Sequence, residues 1–195
     1  MNHGCRKCRR EGVKLFLKGE KCFLPKCPVT LRPYAPGQHG PNSFSKLSEY
    51  GKQLREKQKV KKIYGLSETQ LRNYYLKSAK KAGDKSENLL RMIETRLDSI
   101  IFRLGIVASR SNARQMVSHR KFLVNGRRVN IPSINVSEKD EVSFTKEVKM
   151  AAKSNLPDWL VFDGKKLSLK LKRKPTKEEL EMPFDINLVI EYYSR

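Results

Sequence analysis

Ser109-Arg110-Ser111-Asn112-Ala113-Arg114-Gln115-Met116-Val117-Ser118, followed by Phe122-Leu123-Val124-Asn125-Gly126-Arg127-Arg128-Val129, is the stretch that sets the fold. The Ser109 hydroxyl suits a helix N-cap, and Ala113, Met116 and Val117 recur at helical spacing, so a helix is predicted to about Ser118. The apolar run 122–124, the Asn125-Gly126 pair and the run 127–129 predict a β-hairpin, because Asn-Gly best supplies two positive φ values in a two-residue turn. A helix feeding a hairpin is the kernel of a small α+β module.

Working upstream, Asp84-Lys85-Ser86-Glu87 opens a predicted helix whose Leu89, Leu90, Ile93, Leu97, Ile100, Ile101 and Leu104 form one apolar face ended by Gly105. Ser67-Glu68-Thr69-Gln70 has the form of a capping box, Leu71, Tyr74, Tyr75 and Ala79 supply the buried stripe behind it, and Gly83 suits its C′ position. Phe44, Leu47, Tyr50, Leu54, Val60 and Ile63, interleaved with lysines, predict a basic amphipathic helix ending near Gly65. Residues 1–41 show little helical periodicity and read as an irregular arm. Downstream, 141–144, 159–162, 166–171 and 188–193 carry strand character. The fold class is α+β: a mostly helical domain, a Cys-rich metal-binding N-terminal arm, and a module of two helices plus a hairpin and strands.

The chain has 195 residues with 42 Lys plus Arg against 20 Asp plus Glu, a formal net charge of +22. Like charges repel in the compact state, so this excess points to a polyanionic partner, with nucleic acid first. Hydrophobic residues still make up 38%, which favours a globular protein over a disordered tail. Residues 1–64 hold 16 basic and 4 acidic residues, the strongest concentration; residues 91–145, with 10 and 5, form a second. No long apolar span or strongly amphipathic basic helix calls for a membrane, and no apolar signal core follows Met1, so the protein is expected to work in a bacterial cytosol.

Cys5 and Cys8, then thirteen residues, then Cys22 and Cys27, form two close pairs separated by a loop. Such pairs can bring four sulfurs to one tetrahedral ion, and thiolates suit zinc or an iron–sulfur cluster, with zinc favoured. The metal would stand in for a core that residues 1–41 lack. Arg6, Lys7, Arg9, Arg10 and Lys26 are placed to offset the thiolate charge.

The stretch from Arg32 to Pro41 alternates prolines, which preset an extended path, with glycines, which let backbone approach a phosphate. Its Arg32, Tyr34, Gln38 and His39 supply charge, stacking and hydrogen bonds for RNA. In the module, Arg110, Arg114, His119, Arg120, Lys121, Asn125, Arg127 and Arg128 are candidates for one cationic RNA face. Lys52, Arg55, Lys59 and Lys62 of the basic helix would add affinity rather than sequence choice, and Arg9 and Arg10 extend the same surface.

Taken in order, these motifs closely resemble the bacterial small-subunit ribosomal protein S four family. The likeness rests on the four-Cys spacing, Arg9-Arg10-Glu11-Gly12, Arg32-Pro33-Tyr34 with Pro36-Gly37-Gln38-His39-Gly40, and 53–59. It continues through Glu94-Thr95-Arg96-Leu97-Asp98, Arg103-Leu104-Gly105, Ser109-Arg110, 124–129 and the terminal Glu191-Tyr192-Tyr193-Ser194-Arg195. The resemblance implies an early binder of small-subunit ribosomal RNA that nucleates assembly at a multi-helix junction. It also implies a neighbour in ribosomal protein S five, closeness to mRNA at its entry channel, and a contribution to translational accuracy. Further, it implies an arm over 1–41, a helical domain over 42–88 completed by the tail 166–195, and an inserted module over 89–165, with no homo-oligomer. Arg120 departs from the family pattern, standing where a glycine often follows the histidine; in a left-handed site that carries a backbone cost.

Two other classes are weighed against this. An RNA-modifying enzyme can carry the same module, yet no phosphate-binding Gly-rich loop, zinc-protease motif or nucleophile elbow occurs, and the only histidines are His3, His39 and His119. A DNA-binding regulator would concentrate charge on one recognition helix, whereas here it is spread over several segments. The expectation is a protein that is not an enzyme.

Overall fold

A computed structural model describes residues 3–42, 46–145, 156–164, 166–180 and 182–195. Phe44, expected at the start of the basic helix, lies outside them. The chain divides into two compact units, one of Met1–Ser86 with Glu181–Arg195 and one of Glu87–Leu180.

The first unit is helical: α1 (His3–Glu11), a 3-10 turn at Gly19–Cys22, α2 (Pro28–Leu31), α3 (Glu49–Ile63), α4 (Glu68–Ala79) and, from the tail, α8 (Ile186–Ser194). The arm thus holds more helix than its composition suggested. The basic helix begins at Glu49, because the Ser48 hydroxyl accepts from the Gly51 N–H at 3.2 Å and starts it there. At α4 the capping box forms as read: Gln70 N–H donates to Ser67 Oγ at 3.1 Å, and Ser67 N–H donates to Gln70 Oε1 at 3.0 Å. Its C-cap, however, is Lys80; Gly83 takes its positive φ three residues further on.

The terminal segment 188–193 is a helix, not the strand its composition suggested. Asp185 accepts the Asn187 N–H at 2.8 Å and caps it, and Ile186 and Val189 are buried one turn apart, so packing on α3 overrides β propensity.

The second unit packs α6 (Leu97–Arg103) on α7 (Arg110–Ser118), with a five-stranded antiparallel sheet of order β2-β1-β3-β5-β4. Its strands are β1 (Phe122–Val124), β2 (Arg127–Val129), β3 (Glu141–Phe144), β4 (Leu160–Asp163) and β5 (Ser168–Leu171). The hairpin registers Val124 with Arg127 across a turn in which Asn125 and Gly126 both have positive φ, 51° and 77°. Phe122 lies opposite Phe144 and Val142 opposite Leu169, so Phe122, Val142 and Leu169 share one face across three strands, and all three are fully buried. Leu97, Ile100, Ile101, Leu104, Ala113 and Val117 are buried to the same degree on the helices.

Two expectations change here. The single helix expected from Lys85 to Leu104 is broken into α5 (Lys85–Glu94) and α6, with Arg96 extended at φ −66°, ψ 143°. The break has a partner: Leu97 N–H donates to Ile134 O at 2.8 Å, Asp98 N–H to Pro132 O at 3.2 Å, and Val136 N–H to Thr95 O at 2.9 Å. The segment after the hairpin takes the backbone groups a continuous helix would use. Second, residues 166–180 stay in the unit of the sheet, since β5 pairs with both β3 and β4, and the tail returns to the helical unit only from Glu181 onward. Among the described residues no helix is long and apolar enough to cross a membrane.

Candidate nucleic-acid interface

In the first unit, the cations expected to meet RNA are largely organised by carboxylates. Glu11, whose side chain is wholly buried, accepts from Arg55 at 3.4 Å and, closer still, from Lys62. Lys59 pairs with Glu56 at 2.6 Å, and Lys52 pairs with Glu49 at 2.7 Å on an exposed turn. Arg9 holds the Pro/Gly loop: Nε donates to Tyr34 O at 3.0 Å, a terminal nitrogen to Ala35 O at 3.4 Å, and the guanidinium lies 4.7 Å from the Tyr34 ring centroid. The loop then folds so tightly that a Cβ on Gly40 would lie 1.9 Å from Ala35 O, which only glycine avoids. Arg10, Arg32, Gln38 and His39 are exposed.

The four thiols share one neighbourhood. Cys8, Cys22 and Cys27 are buried and Cys5 half-buried, none is in a disulfide, and Cys5, Cys22 and Cys27 line one cavity of about 310 Å³. Burial pushes the Cys8 thiol above its ordinary value; a backbone hydrogen bond at Leu15 opposes this, and the other three cysteines add to it. Lys18 N–H donates to Cys22 Sγ at 3.4 Å. Among the described residues, no three His, Cys, Asp or Glu side chains are gathered closely enough to form a metal-holding group.

In the second unit, Arg110 and Arg114 turn toward carboxylates of α5 and α6. Fully buried Glu94 accepts two bonds from Arg103, at 3.0 and 2.8 Å, and one from Arg110 at 3.3 Å. Buried Asp98 accepts from Arg96 at 3.0 and 2.7 Å and from Arg114 at 3.2 and 2.9 Å. The Arg110 guanidinium also lies 4.4 Å from the Phe102 ring centroid. The sequence reading gave Glu94 and Asp98 no role, although two acids one turn apart in an Arg-rich stretch were the available signal.

Asn125 is likewise engaged by neighbouring residues, although it is exposed. Its Nδ2 donates to Asp140 at 2.7 Å and its Oδ1 accepts from Glu141 N–H at 2.9 Å. Asp140 is held below the usual carboxylate range by the Ser137 hydroxyl, the Ser137 N–H and Asn125. This network ties the hairpin turn to the start of β3. Also outward-facing are His119, Arg120, Arg127 and Arg128, all exposed, with Lys121 half-buried. Arg127 and Arg128 sit on edge strand β2, and their alternation directs one to each face of the sheet. Arg120 adopts φ 58°, the left-handed conformation anticipated where a glycine is common.

Comparison with known proteins gives this geometry a family. Residues 1–94 match the ribosomal protein S4/S9 N-terminal domain, and residues 95–142 match the S4 domain. The small ribosomal subunit protein uS4A of Alkaliphilus metalliredigens is 48% identical over 98% of this chain and 96% of its own length. The uS4 proteins of Caldicellulosiruptor bescii and Dictyoglomus thermophilum are 51% and 47% identical, each over 98% of this chain and 96% of its own length. This chain belongs to the uS4 family. The S4 match spans α6, α7, the hairpin and the first residues of β3, so the exposed arginines of β2 lie within it, whereas β4 and β5 extend the sheet beyond it. As a uS4 protein the chain has a structural rather than an enzymatic role.

Proposed function

We propose that this uS4 protein is a structural constituent of the small ribosomal subunit, working in the cytoplasm within the ribosome, where it binds ribosomal RNA. The observation that carries this is the S4 domain match over 95–142, on a module that exposes Arg120, Arg127 and Arg128 while its other arginines are spent on internal carboxylates. Guanidinium groups there suit phosphate forks and base stacking. His119, Lys121 and Asn125 flank that face, and Arg10, Arg32, Gln38 and His39 of the arm extend the RNA surface of the first unit.

Within this reading the protein binds its RNA early and nucleates assembly, beside ribosomal protein S five and near the mRNA entry channel, where it contributes to accuracy. The motif series that resembles the family supports these finer roles. The reading also includes one zinc ion held by Cys5, Cys8, Cys22 and Cys27; its support is the donor set, four thiols in one neighbourhood with three of them buried. Metal analysis of the purified chain tests it: one zinc per chain, lost when Cys22 and Cys27 are replaced by serine, is the expected result.

The RNA reading is tested by binding at several salt concentrations with chemical footprinting, comparing small-subunit ribosomal RNA with unrelated folded RNA of equal length. Tighter binding to the ribosomal RNA with protection confined to one junction is expected. Equal binding without a localised footprint would leave a generic polyanion binder.

A further inference from the structure

The arm carries an aromatic surface that none of the contacts above uses. Phe23 is 71% exposed and Phe16 40% exposed, and their rings lie 5.0 Å apart at 31°. Phe16 holds φ 50°, a conformation that bulky L-residues rarely adopt and that persists only where surrounding structure enforces it. The turn that carries Phe23 is held by backbone bonds: Phe23 N–H donates to Glu20 O at 3.0 Å, and Cys27 N–H to Leu24 O at 3.0 Å. The two rings thus pack on each other while Phe23 stays largely in solvent, where hydrophobic packing alone would turn it inward.

The surroundings indicate what covers them. Leu24, next to Phe23 in the chain, lines the 310 Å³ cavity of Cys5, Cys22 and Cys27 together with Lys18, Lys21 and Lys26, and among the described residues no carboxylate contributes to that lining. A protein partner's apolar side chain gains nothing from three ammonium groups, whereas a nucleotide offers a flat apolar base and an anionic phosphate to such a pairing. We propose that Phe16 and Phe23 form a stacking platform for an unpaired RNA base, with Lys18, Lys21 and Lys26 holding the phosphates that flank it. This rests on the ribosomal RNA reading and adds to it a site in the arm, outside the S4 domain.

The test uses the full chain and small-subunit ribosomal RNA, with three variants: Phe23→Leu, Phe23→Trp and Lys21→Ala. Phe23 and Lys21 are both exposed, and circular dichroism verifies that the variants fold. Removing the ring with Phe23→Leu is expected to weaken binding roughly five- to a hundredfold while leaving the salt slope unchanged. Phe23→Trp keeps a π face and is expected to bind at least as tightly as the parent. Lys21→Ala is expected to weaken binding and flatten the log–log salt slope by about 1. Short-wave ultraviolet irradiation should give a nucleotide adduct on a peptide containing Phe16 or Phe23.

Unchanged binding by Phe23→Leu together with no adduct in this segment would overturn the platform. So would a Phe23→Leu variant that binds RNA normally but loses a contact to another ribosomal protein, since the surface would then be a protein docking site. If the parent chain itself fails to distinguish ribosomal RNA from the control, the underlying reading falls, whatever residue 23 is, and this site falls with it.

Discussion

Two carboxylates decide how the module's arginines are used. Glu94 and Asp98 are each removed from water and each accept from two guanidinium groups, which compensates the cost of burying their charge. Glu94→Gln removes the anion but keeps the volume, leaving Arg103 and Arg110 with a neutral partner. We expect a loss of about 3 kcal/mol in urea unfolding, seen as a lower midpoint at unchanged slope; a loss within about 0.5 kcal/mol would mean that the arginines re-solvate and the clamp is dispensable. Arg120 makes the opposite case. Its φ of 58° strains any residue with a Cβ, so Arg120→Gly is expected to raise stability by about 1 kcal/mol while weakening RNA binding, two effects that thermal melts and binding isotherms separate. The strain at Arg120 was legible in the sequence, because it depends on one position after a helix end. The internal use of Arg110 and Arg114 was legible only in part: two acids one turn apart in an Arg-rich stretch pointed to it, but spacing within α7 does not say which acids another helix brings.

The same distinction between local and distant causes runs through the secondary-structure elements. Caps at Ser48, Ser67 and Ser109, and the Asn125-Gly126 turn, depend on four or five consecutive residues and could be read or corrected by a short shift. The break at Thr95-Arg96 and the helical state of 186–194 depend on segments far away in sequence, so pattern alone missed both. Helix α8 shows what such a distant partner supplies. Lys57 of α3 is buried and bonds Glu68 of α4 at 2.8 Å, its ammonium lies 4.3 Å from the Tyr192 ring centroid, and Tyr193 OH donates to Glu68 at 2.9 Å. The Tyr193 ring also stacks on Tyr75 at 5.1 Å. Burial tends to raise the Glu68 carboxyl, but hydrogen bonds from Lys57, Tyr193 and Lys61 outweigh it and hold the group below its ordinary 4.5. A carboxyl lowered on folding stabilises the fold above its unfolded value and loses that contribution as pH falls through the folded one. Stability is therefore expected to decline below about pH 4.5, in part through Glu68, and Glu68→Gln should flatten that part of the acid limb while lowering stability at neutral pH. An acid limb identical in the two proteins would show that this three-helix contact is not pH-linked.

Over the whole molecule, the net charge of +22 announced a polyanionic partner, and the motif order announced the family, but neither revealed how the charge is divided between internal and outward use. Of the cations expected to meet RNA, Lys52, Arg55, Lys59, Lys62, Arg110 and Arg114 all sit in ion pairs, whereas Arg10, Arg32, Arg120, Arg127 and Arg128 are exposed and form no ion pair among the described residues. Salt dependence separates these groups, because each phosphate neutralised by a cation releases counterions and contributes about −0.9 to the log–log slope. A cation already matched by a carboxylate releases fewer, since the acid beside it repels the same phosphate. Arg127→Ala with Arg128→Ala is therefore expected to flatten the slope by about 2. Deleting the exposed pair Lys52→Ala with Glu49→Ala leaves the net charge unchanged and is expected to leave the slope within experimental error. If the pair deletion instead flattens the slope by about 1, Lys52 exchanges Glu49 for a phosphate on binding, and α3 belongs to the RNA interface as directly as the hairpin does.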